Sequence, residues 1–257
     1  MKDFAIVILS CDKYSDLWPG FFYQLDKNLK TDIPKYLISN FQNYRDNFTK
    51  NLNVIQNHEE SNWSSNFLKA LNLISEKKIF VILEDIFISS KVDANKFTEL
   101  LQFAVDEDVQ HIKYMGYPRA TIPFNALLSR YEAGMPYLVS VCGIWDKKYL
   151  SQLILDGENP WEFEVNASYR AKFSATKFYG CLNPLFEYKN MVEKGGWIPS
   201  SIQWALRQNI PVDYQNRTVN RVFMFNLKKY FYRLSMCIPW KLRVRLIGAL
   251  KKIIISY

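Results

Sequence analysis

The stretch VILEDIFI, residues 81–88, places two adjacent carboxylates, Glu84 and Asp85, inside an otherwise apolar run. The apolar residues before the pair predict a buried β-strand that ends at the two acids. Burying a charge is costly unless the charge is paired or binds a metal ion. Ligands of open α/β sheets bind beyond the carboxyl ends of the strands, so the pair is a candidate site for Mg²⁺ or Mn²⁺ and a substrate phosphate. The alternative is a structural pair that caps a helix or forms salt bridges.

Patterns typical of strands and helices alternate on both sides of this stretch. Short apolar or β-branched runs predict strands at residues 4–10, 34–39, 52–56, 79–88, 111–118 and 137–146. Apolar residues at helical spacing predict helices at residues 62–77, 93–108 and 146–157, and residues 14–29 predict a loop and helix. This alternation predicts an α/β fold in which helices flank a largely parallel sheet.

The composition limits the classes of protein that fit the sequence. A chain of 257 residues with 49% hydrophobic residues fills a real core. The four cysteines lack a C-x-x-C spacing and there are only two histidines, which argues against a disulfide scaffold, a zinc site or a histidine-based triad. The motifs G-x-G-x-x-G, G-x-x-x-x-G-K-[ST] and G-x-S-x-G do not occur, which removes the usual support for a dehydrogenase, a P-loop kinase or an α/β-hydrolase.

Export and membrane insertion are not expected from the apolar segments. The first of them covers only residues 4–9, which is too short for a signal peptide. No run approaches the roughly 18 apolar residues of a membrane span. The sequence therefore predicts a cytoplasmic protein.

The net charge of +8 is concentrated at the end of the chain. No acidic residue follows Asp213, whereas ten basic residues do, and the preceding part carries 23 basic against 25 acidic residues. This change predicts a boundary near residues 213–222, with a main domain at 1–213 and a basic helical extension at 214–257. Two helical stretches separated near Pro239 place cations beside an apolar arc, which is typical of a helix in a membrane interface. The residues expected to contact an anionic membrane surface are Lys228, Lys229, Arg233, Trp240, Lys241, Arg245 and Lys252.

Two other interpretations of this extension remain open at this stage. One is a C-terminal helix that packs on the core of the main domain. The other is nucleic-acid binding, although the extension contains no recognition motif for it.

The segment GENPWEFEVNAS, residues 157–168, combines acidic and aromatic residues. A carboxylate beside apolar rings, such as Glu162 or Glu164, can have the raised pKa that suits a general base. Trp161 could stack on a sugar ring. The alternative is a solvated acidic loop held in place by one buried tryptophan.

The segment LSCDKYSDLW, residues 9–18, follows the first predicted strand. It would bring Asp12, Tyr14, Asp16 and Trp18 to the sheet edge at which a nucleotide would bind. Polar loops of this kind are common, so the segment is weak evidence by itself.

Taken in order, these segments resemble a known family. The pattern consists of AIVILSCDKYSDLWPGFF, SNWSSNFLKAL, VILEDIFI, SVCGIWDKKYLSQLI, NPWEFEVNAS and EYKNMVEKGGW. It is similar to bacterial polysaccharide and lipopolysaccharide glycosyltransferases with a GT-A fold, which are distantly similar to the inverting glycosyltransferase family 2. The resemblance covers about residues 4–200. It implies a Rossmann-like GT-A sheet, a nucleotide-sugar donor such as a UDP-sugar, a divalent metal (Mn²⁺ or Mg²⁺), and transfer to a hydroxyl of a lipid-linked or growing surface glycan, including capsule.

The resemblance also implies roles for particular residues. Glu84 and Asp85 stand where the family's D-x-D-like pair holds the metal and the diphosphate. Glu164, or otherwise Glu162, would be the catalytic base, and Trp161 would contact the acceptor. The expected nucleotide contacts are Ser10, Asp12, Tyr14, Asn62, Trp63, Ser64 and Asn66. The full D-x-D is absent, so metal binding could depend mainly on the diphosphate.

The sequence as a whole therefore predicts a glycosyltransferase bound peripherally to the inner face of the cytoplasmic membrane. Two alternatives follow from the same features. One is a metal-dependent nucleotidyl- or phosphotransferase that uses the same acidic pair. The other is a membrane or nucleic-acid adaptor without catalytic activity, built around the basic extension.

Overall fold

The structure is a computed structural model that describes residues 3–114 and 118–220, together with the single residues Ile238 and Leu242. The chain divides into two units, residues 1–219 and residues 220–257. The first unit extends past Asp213, because residues 214–219 contact the main domain. All seven residues predicted to contact a membrane lie outside the described residues.

The first unit is built on strands and helices that alternate along the chain. Its helices are α1 (Trp18–Asn28), α2 (Trp63–Leu73), α3 (Ala94–Asp106), α4 (Lys147–Leu153), α5 (Pro160–Arg170) and α6 (Pro199–Arg207). Its strands are β1 (Phe4–Leu9), β2 (Lys35–Ser39), β3 (Leu52–Gln56), β4 (Lys78–Leu83), β5 (Ile86–Ile88), β6 (His111–Lys113), β7 (Ile122–Pro123), β8 (Leu128–Arg130), β9 (Gly143–Asp146), β10 (Phe178–Cys181), β11 (Tyr188–Asn190), β12 (Val192–Glu193) and β13 (Gly196–Trp197). Short 3-10 helices lie at Asp12–Leu17, Ala171–Phe173 and Tyr214–Asn216.

Nine of these strands form the central sheet, in the order β3-β2-β1-β4-β9-β6-β10-β8-β7. The four strands from β3 to β4 are parallel to one another, and β10 is parallel to β6. Strand β9 runs antiparallel between β4 and β6. The predicted α/β fold with a mostly parallel sheet is confirmed. Every residue of β1 is buried, which explains why its sequence is continuously apolar.

Three of the predicted strands differ from the observed ones. Among the described residues, the strand predicted at 111–118 is observed only at His111–Lys113, and Tyr114 lies outside it. Residues 79–88 form two strands, because Glu84 and Asp85 make a turn between β4 and β5. Strand β5 leaves the central sheet and pairs with β11. The strand predicted at 137–146 begins only at Gly143, since the N–H of Val141 bonds a side chain instead of a neighbouring strand.

Strand β9 fits the sheet closely at Gly143, beside a buried histidine. The ring of His111 stacks on Trp145 with 3.7 Å between centroids, and burial lowers the pKa of His111 to about 3. A Cβ atom at Gly143 would lie 2.4 Å from the His111 Cε1 and 2.8 Å from the Ile112 carbonyl oxygen. Neither contact can be relieved without moving the sheet.

We expect Gly143→Ala to lower the free energy of unfolding by about 1–3 kcal/mol, because the added methyl group overpacks the sheet. The matched control is Gly180→Ala in β10, where the nearest atoms to a Cβ lie at 3.2 Å and belong to side chains. Urea unfolding of both variants measures the difference. An equal loss of stability at the two glycines would contradict the explanation.

Candidate active site

The acidic pair lies at the carboxyl edge of the central strands. Glu84 and Asp85 form the turn that follows β4, and the amide of Met191 donates a hydrogen bond to the Asp85 carbonyl oxygen at 2.8 Å. In the parallel pairing of β1 with β4, Leu9 lies opposite Leu83. The residues that follow β1 are therefore brought to the same edge as the acidic pair.

Glu84 is buried, and Asp85 is partly buried with one oxygen shielded from water. Glu84 is 6% exposed, and the Asp85 Oδ1 is buried without a hydrogen-bond partner among the described residues. Neither acid forms a salt bridge within residues 3–114 and 118–220. Burial, followed by the charge of Asp85, raises the pKa of Glu84, and burial raises the pKa of Asp85 to about 6. The structure thus holds two acids in a costly environment that no described cation contacts directly.

The loop after β1 carries three of the predicted nucleotide contacts. The Ser10 Oγ accepts a hydrogen bond from the Trp18 Nε1 at 2.8 Å. Tyr14 lies near the acidic pair, since burial and then the charge of Glu84 raise its pKa. Asp12 has a supporting role, because its carboxylate accepts three hydrogen bonds from the backbone amides of residues 40–42, at 2.9, 2.9 and 3.1 Å. Nucleotide contact by these residues stays a prediction.

The second group of predicted nucleotide contacts lies at the start of α2. Asn62 is the N-cap: its Oδ1 accepts from the Ser65 amide at 2.9 Å and from the Ser64 hydroxyl at 2.7 Å. The Trp63 Nε1 and the Asn66 Oδ1 are buried without a hydrogen-bond partner in the described part of the chain. The cap explains why Asn62 and Ser64 occur here. Trp63 and Asn66 each keep one unengaged polar side-chain atom, although the Asn66 Nδ2 donates to the Ser61 carbonyl oxygen at 3.2 Å. Nucleotide contact by these four residues stays a prediction.

The two glutamates proposed as the base have different partners. Glu162 forms a capping box with Asn159 at the start of α5, where each residue binds the backbone amide of the other at 3.0 Å. The Glu164 Oε1 instead accepts from the Val141 amide at 2.9 Å and from the Ser140 hydroxyl at 3.1 Å. The segment is a helix and not the solvated loop of the alternative interpretation. Trp161, the predicted acceptor contact, is 73% exposed and not buried.

Glu164 reaches the same sheet edge as the acidic pair. Gly143 pairs with Val81 in the antiparallel ladder of β9 and β4, so the residues that precede Gly143 run toward Glu84. The Cys142 thiol lies near both acids. Burial, then the charge of Glu164, then the charge of Asp85 raise the pKa of this thiol. The structure therefore brings Glu164 and Asp85 near the same buried side chain, while Glu162 is occupied by the helix cap.

Two cations near this edge were missed by the sequence analysis. Lys113 ends β6 and is buried; burial lowers its pKa to about 8, and the charge of Glu164 opposes that shift. Arg217, which the sequence assigns to the basic extension, forms a salt bridge with Asp16 at 2.7 Å. Periodicity gives no signal for either one. Lysine and arginine side chains are usually exposed. Neither a single lysine after an apolar strand nor an arginine near a charge boundary would therefore be expected at a site.

The side chains available as ligands determine which metal ion could bind at this edge of the sheet. The described residues contain no group of three or more His, Cys, Asp or Glu side chains that could hold a metal ion. Carboxylate oxygens are the ligands that Mg²⁺ prefers, and this ion usually keeps several waters and binds through one or two carboxylates plus substrate phosphates. The unpartnered Oδ1 of Asp85 fits such a cation.

Comparisons with known proteins bear on the fold. No protein-family model and no curated protein sequence matches the chain. Among solved structures, S. aureus TarS 1-349 in complex with UDP-GlcNAc matches with a TM-score of 0.53 and 14% identity, over 76% of this chain and 60% of that one. S. aureus TarS 1-349 in complex with UDP matches with a TM-score of 0.51 and 14% identity, over 82% of this chain and 67% of that one.

This chain thus spans 60% of the length of the TarS structure that contains UDP-GlcNAc. At 14% identity the likeness concerns the fold alone. The sheet order and these matches both indicate that the chain has an α/β fold of the GT-A-like kind.

Proposed function

We propose that the protein is a glycosyltransferase that moves a sugar from a nucleotide-sugar donor to a hydroxyl group of a glycan. The observation that carries the proposal is the acidic pair, buried Glu84 and partly buried Asp85, at the carboxyl edge of a GT-A-like sheet. The complexes of TarS with UDP-GlcNAc and with UDP support a uridine nucleotide as the first donor to test.

The acidic pair would bind the donor's diphosphate through Mn²⁺ or Mg²⁺. When bound, such an ion neutralises negative charge that develops on the departing diphosphate. Asp85 is the better placed ligand because its Oδ1 has no described partner, and Glu84 supplies a second carboxylate. Ser10, Tyr14, Trp63 and Asn66 would complete the nucleotide pocket.

Glu164 would act as the base in an inverting, single-displacement reaction. It would take the proton from the acceptor hydroxyl while the new bond to the sugar's anomeric carbon forms and the bond to the diphosphate breaks. The hydrogen bonds from Ser140 and Val141 to the Oε1 fix the carboxylate and leave Oε2 for the acceptor. Trp161 lies three residues before Glu164, so the two side chains are neighbours on the helix surface.

The acceptor proposed from the sequence is a lipid-linked or growing surface glycan, reached from the inner face of the cytoplasmic membrane. Within the described residues, none of the helices has both the length and the apolarity that crossing a bilayer requires. Membrane contact through residues 228–252 stays part of the proposal.

The proposal is tested by binding of nucleotide sugars to the full-length chain. With Mn²⁺ present, the matching UDP-sugar should raise the melting temperature, because a ligand at 100 times its Kd adds about 2.7 kcal/mol to the free energy of unfolding. Transfer is then followed by release of UDP in the presence of an acceptor. If no UDP-, GDP- or dTDP-sugar changes the melting temperature with either metal, the proposal is wrong.

A further inference from the structure

Arg217 joins three separate segments beside the acidic pair. Its Nε and Nη2 donate to the two carboxylate oxygens of Asp16, each at 2.7 Å. The Nη2 also donates to the Lys13 carbonyl oxygen at 2.7 Å, and the Nη1 donates to the Gly195 carbonyl oxygen at 3.3 Å. Four N–H groups of one guanidinium therefore hold the loop after β1, the β12–β13 turn and residues 214–219 together.

The same guanidinium fixes an aromatic side chain of the candidate nucleotide pocket. The Arg217 Cζ lies 4.4 Å from the centroid of the Tyr14 ring and 5.9 Å from that of Trp197. Stacking of this kind restrains the ring as well as attracting the cation. The loop therefore presents Tyr14 in one orientation at the edge where Glu84 lies.

This ion pair is removed from solvent, since the side chains of Arg217 and Asp16 are 6% and 10% exposed. A buried ion pair is weak evidence for a role in stability, because desolvation offsets much of the attraction. Its position suggests another reason for the pair. Arg217 lies near both Glu84 and Asp85 without bonding either acid directly, and its hydrogen bonds fix the loop that carries Tyr14 beside them.

We propose that Arg217 is a positioning residue for donor binding, whose fork to Asp16 holds Tyr14 and the loop after β1 against the acidic pair. The inference rests on the proposed function. It gives Arg217, which the sequence places in the basic extension, a role in the first unit. The pocket is then preformed in the free protein, and the donor does not have to order the loop on binding.

The test compares Arg217→Met and Arg217→Lys with Arg170→Met in the full-length chain. Arg170 is a matched control because it also makes a two-pronged ion pair, to Glu158 with both contacts at 2.7 Å, on a different part of the surface. Calorimetry with UDP and Mn²⁺ should show a Kd about tenfold higher or more for Arg217→Met. Arg217→Lys keeps the positive charge but cannot make both hydrogen bonds to Asp16, so it should recover only part of the affinity for UDP. Arg170→Met should lower the melting temperature and leave the Kd for UDP within about twofold of the wild-type value.

Hydrogen exchange provides a readout that does not need the donor. Amides of residues 11–17 should exchange faster in Arg217→Met than in the wild type, and should be unchanged in Arg170→Met. If the wild type binds UDP and Arg217→Met binds it equally well, the inference is wrong while the proposed function stands. If the wild type binds no nucleotide sugar, the proposed function fails and this inference fails with it.

Discussion

Replacing Asp85 with asparagine is expected to lower the rate of sugar transfer by about 10²–10³-fold, the range seen when one electrostatic contact to developing charge is removed. The physical reason is the loss of an ionised oxygen at the place where the diphosphate would sit. Asparagine preserves the size of the side chain and can still accept a hydrogen bond, so the change tests charge. The measurement is release of UDP at saturating donor, together with the Kd of UDP with and without Mn²⁺.

The same substitution should stabilise the protein in the absence of metal. A carboxyl with a raised pKa binds protons more tightly in the folded state, so its contribution favours folding below its ordinary pKa and is lost as the pH rises through the folded value. For Asp85 this window runs from 3.8 to about 6. Above it, Asp85→Asn should have a free energy of unfolding higher by roughly 1–3 kcal/mol than the wild type, and a flatter dependence on pH.

An exposed acid provides the matched control for both effects. Asp106, on α3, accepts a hydrogen bond from Gln102 at 2.8 Å and lies on the surface. Asp106→Asn should leave both the rate of transfer and the free energy of unfolding at neutral pH close to the wild-type values. Nearly normal transfer by Asp85→Asn would contradict the role of the acidic pair, and a loss of stability at neutral pH would contradict the shielded, unpartnered position of the Asp85 Oδ1.

The centre of the sheet could be predicted because β1 and β4 are buried on both faces. A strand such as β1 must be apolar throughout, and such runs are visible without any knowledge of what covers them. The helix predicted from residue 62 also rests on a local signal, because a side-chain acceptor such as Asn62 ahead of an apolar periodic run marks a helix start. The acidic pair was found for a similar reason, since two charges in an apolar run conflict with burial.

The remainder of the site depends on contacts between distant positions. Arg217 and Asp16 are 201 residues apart, and nothing local to either one predicts the pair. The turn at Glu84–Asp85 sends β5 to pair with β11, a partner about 100 positions further along the chain. One distinction was available but unused: asparagine followed three residues later by glutamate is the capping-box pattern, and it assigns Glu162 to the helix end.

Glu164→Gln is expected to lower the turnover number by about 10²–10⁴-fold, the contribution of a positioned general base, while leaving the Kd for UDP unchanged. Glutamine can still accept the hydrogen bonds from Ser140 and Val141, so the local structure should persist. The loss should therefore fall on the turnover number and not on donor binding, which is the signature of an interaction made only in the transition state. Single-turnover transfer measured beside calorimetric binding of UDP separates the two quantities.

The comparison with Glu162→Gln decides which of the two glutamates is the base. They share one helix, but Glu162 is engaged with the Asn159 amide at the N-cap, and glutamine can take the same place in a capping box. Glu162→Gln should therefore keep nearly wild-type turnover, with a melting temperature within a few degrees of the wild-type value. Equal losses in the two variants would mean that α5 as a whole, and not the Glu164 carboxylate, is what transfer requires. A large loss at Glu162 alone would assign the base to the helix end, because that carboxylate would have to leave its cap to meet the acceptor.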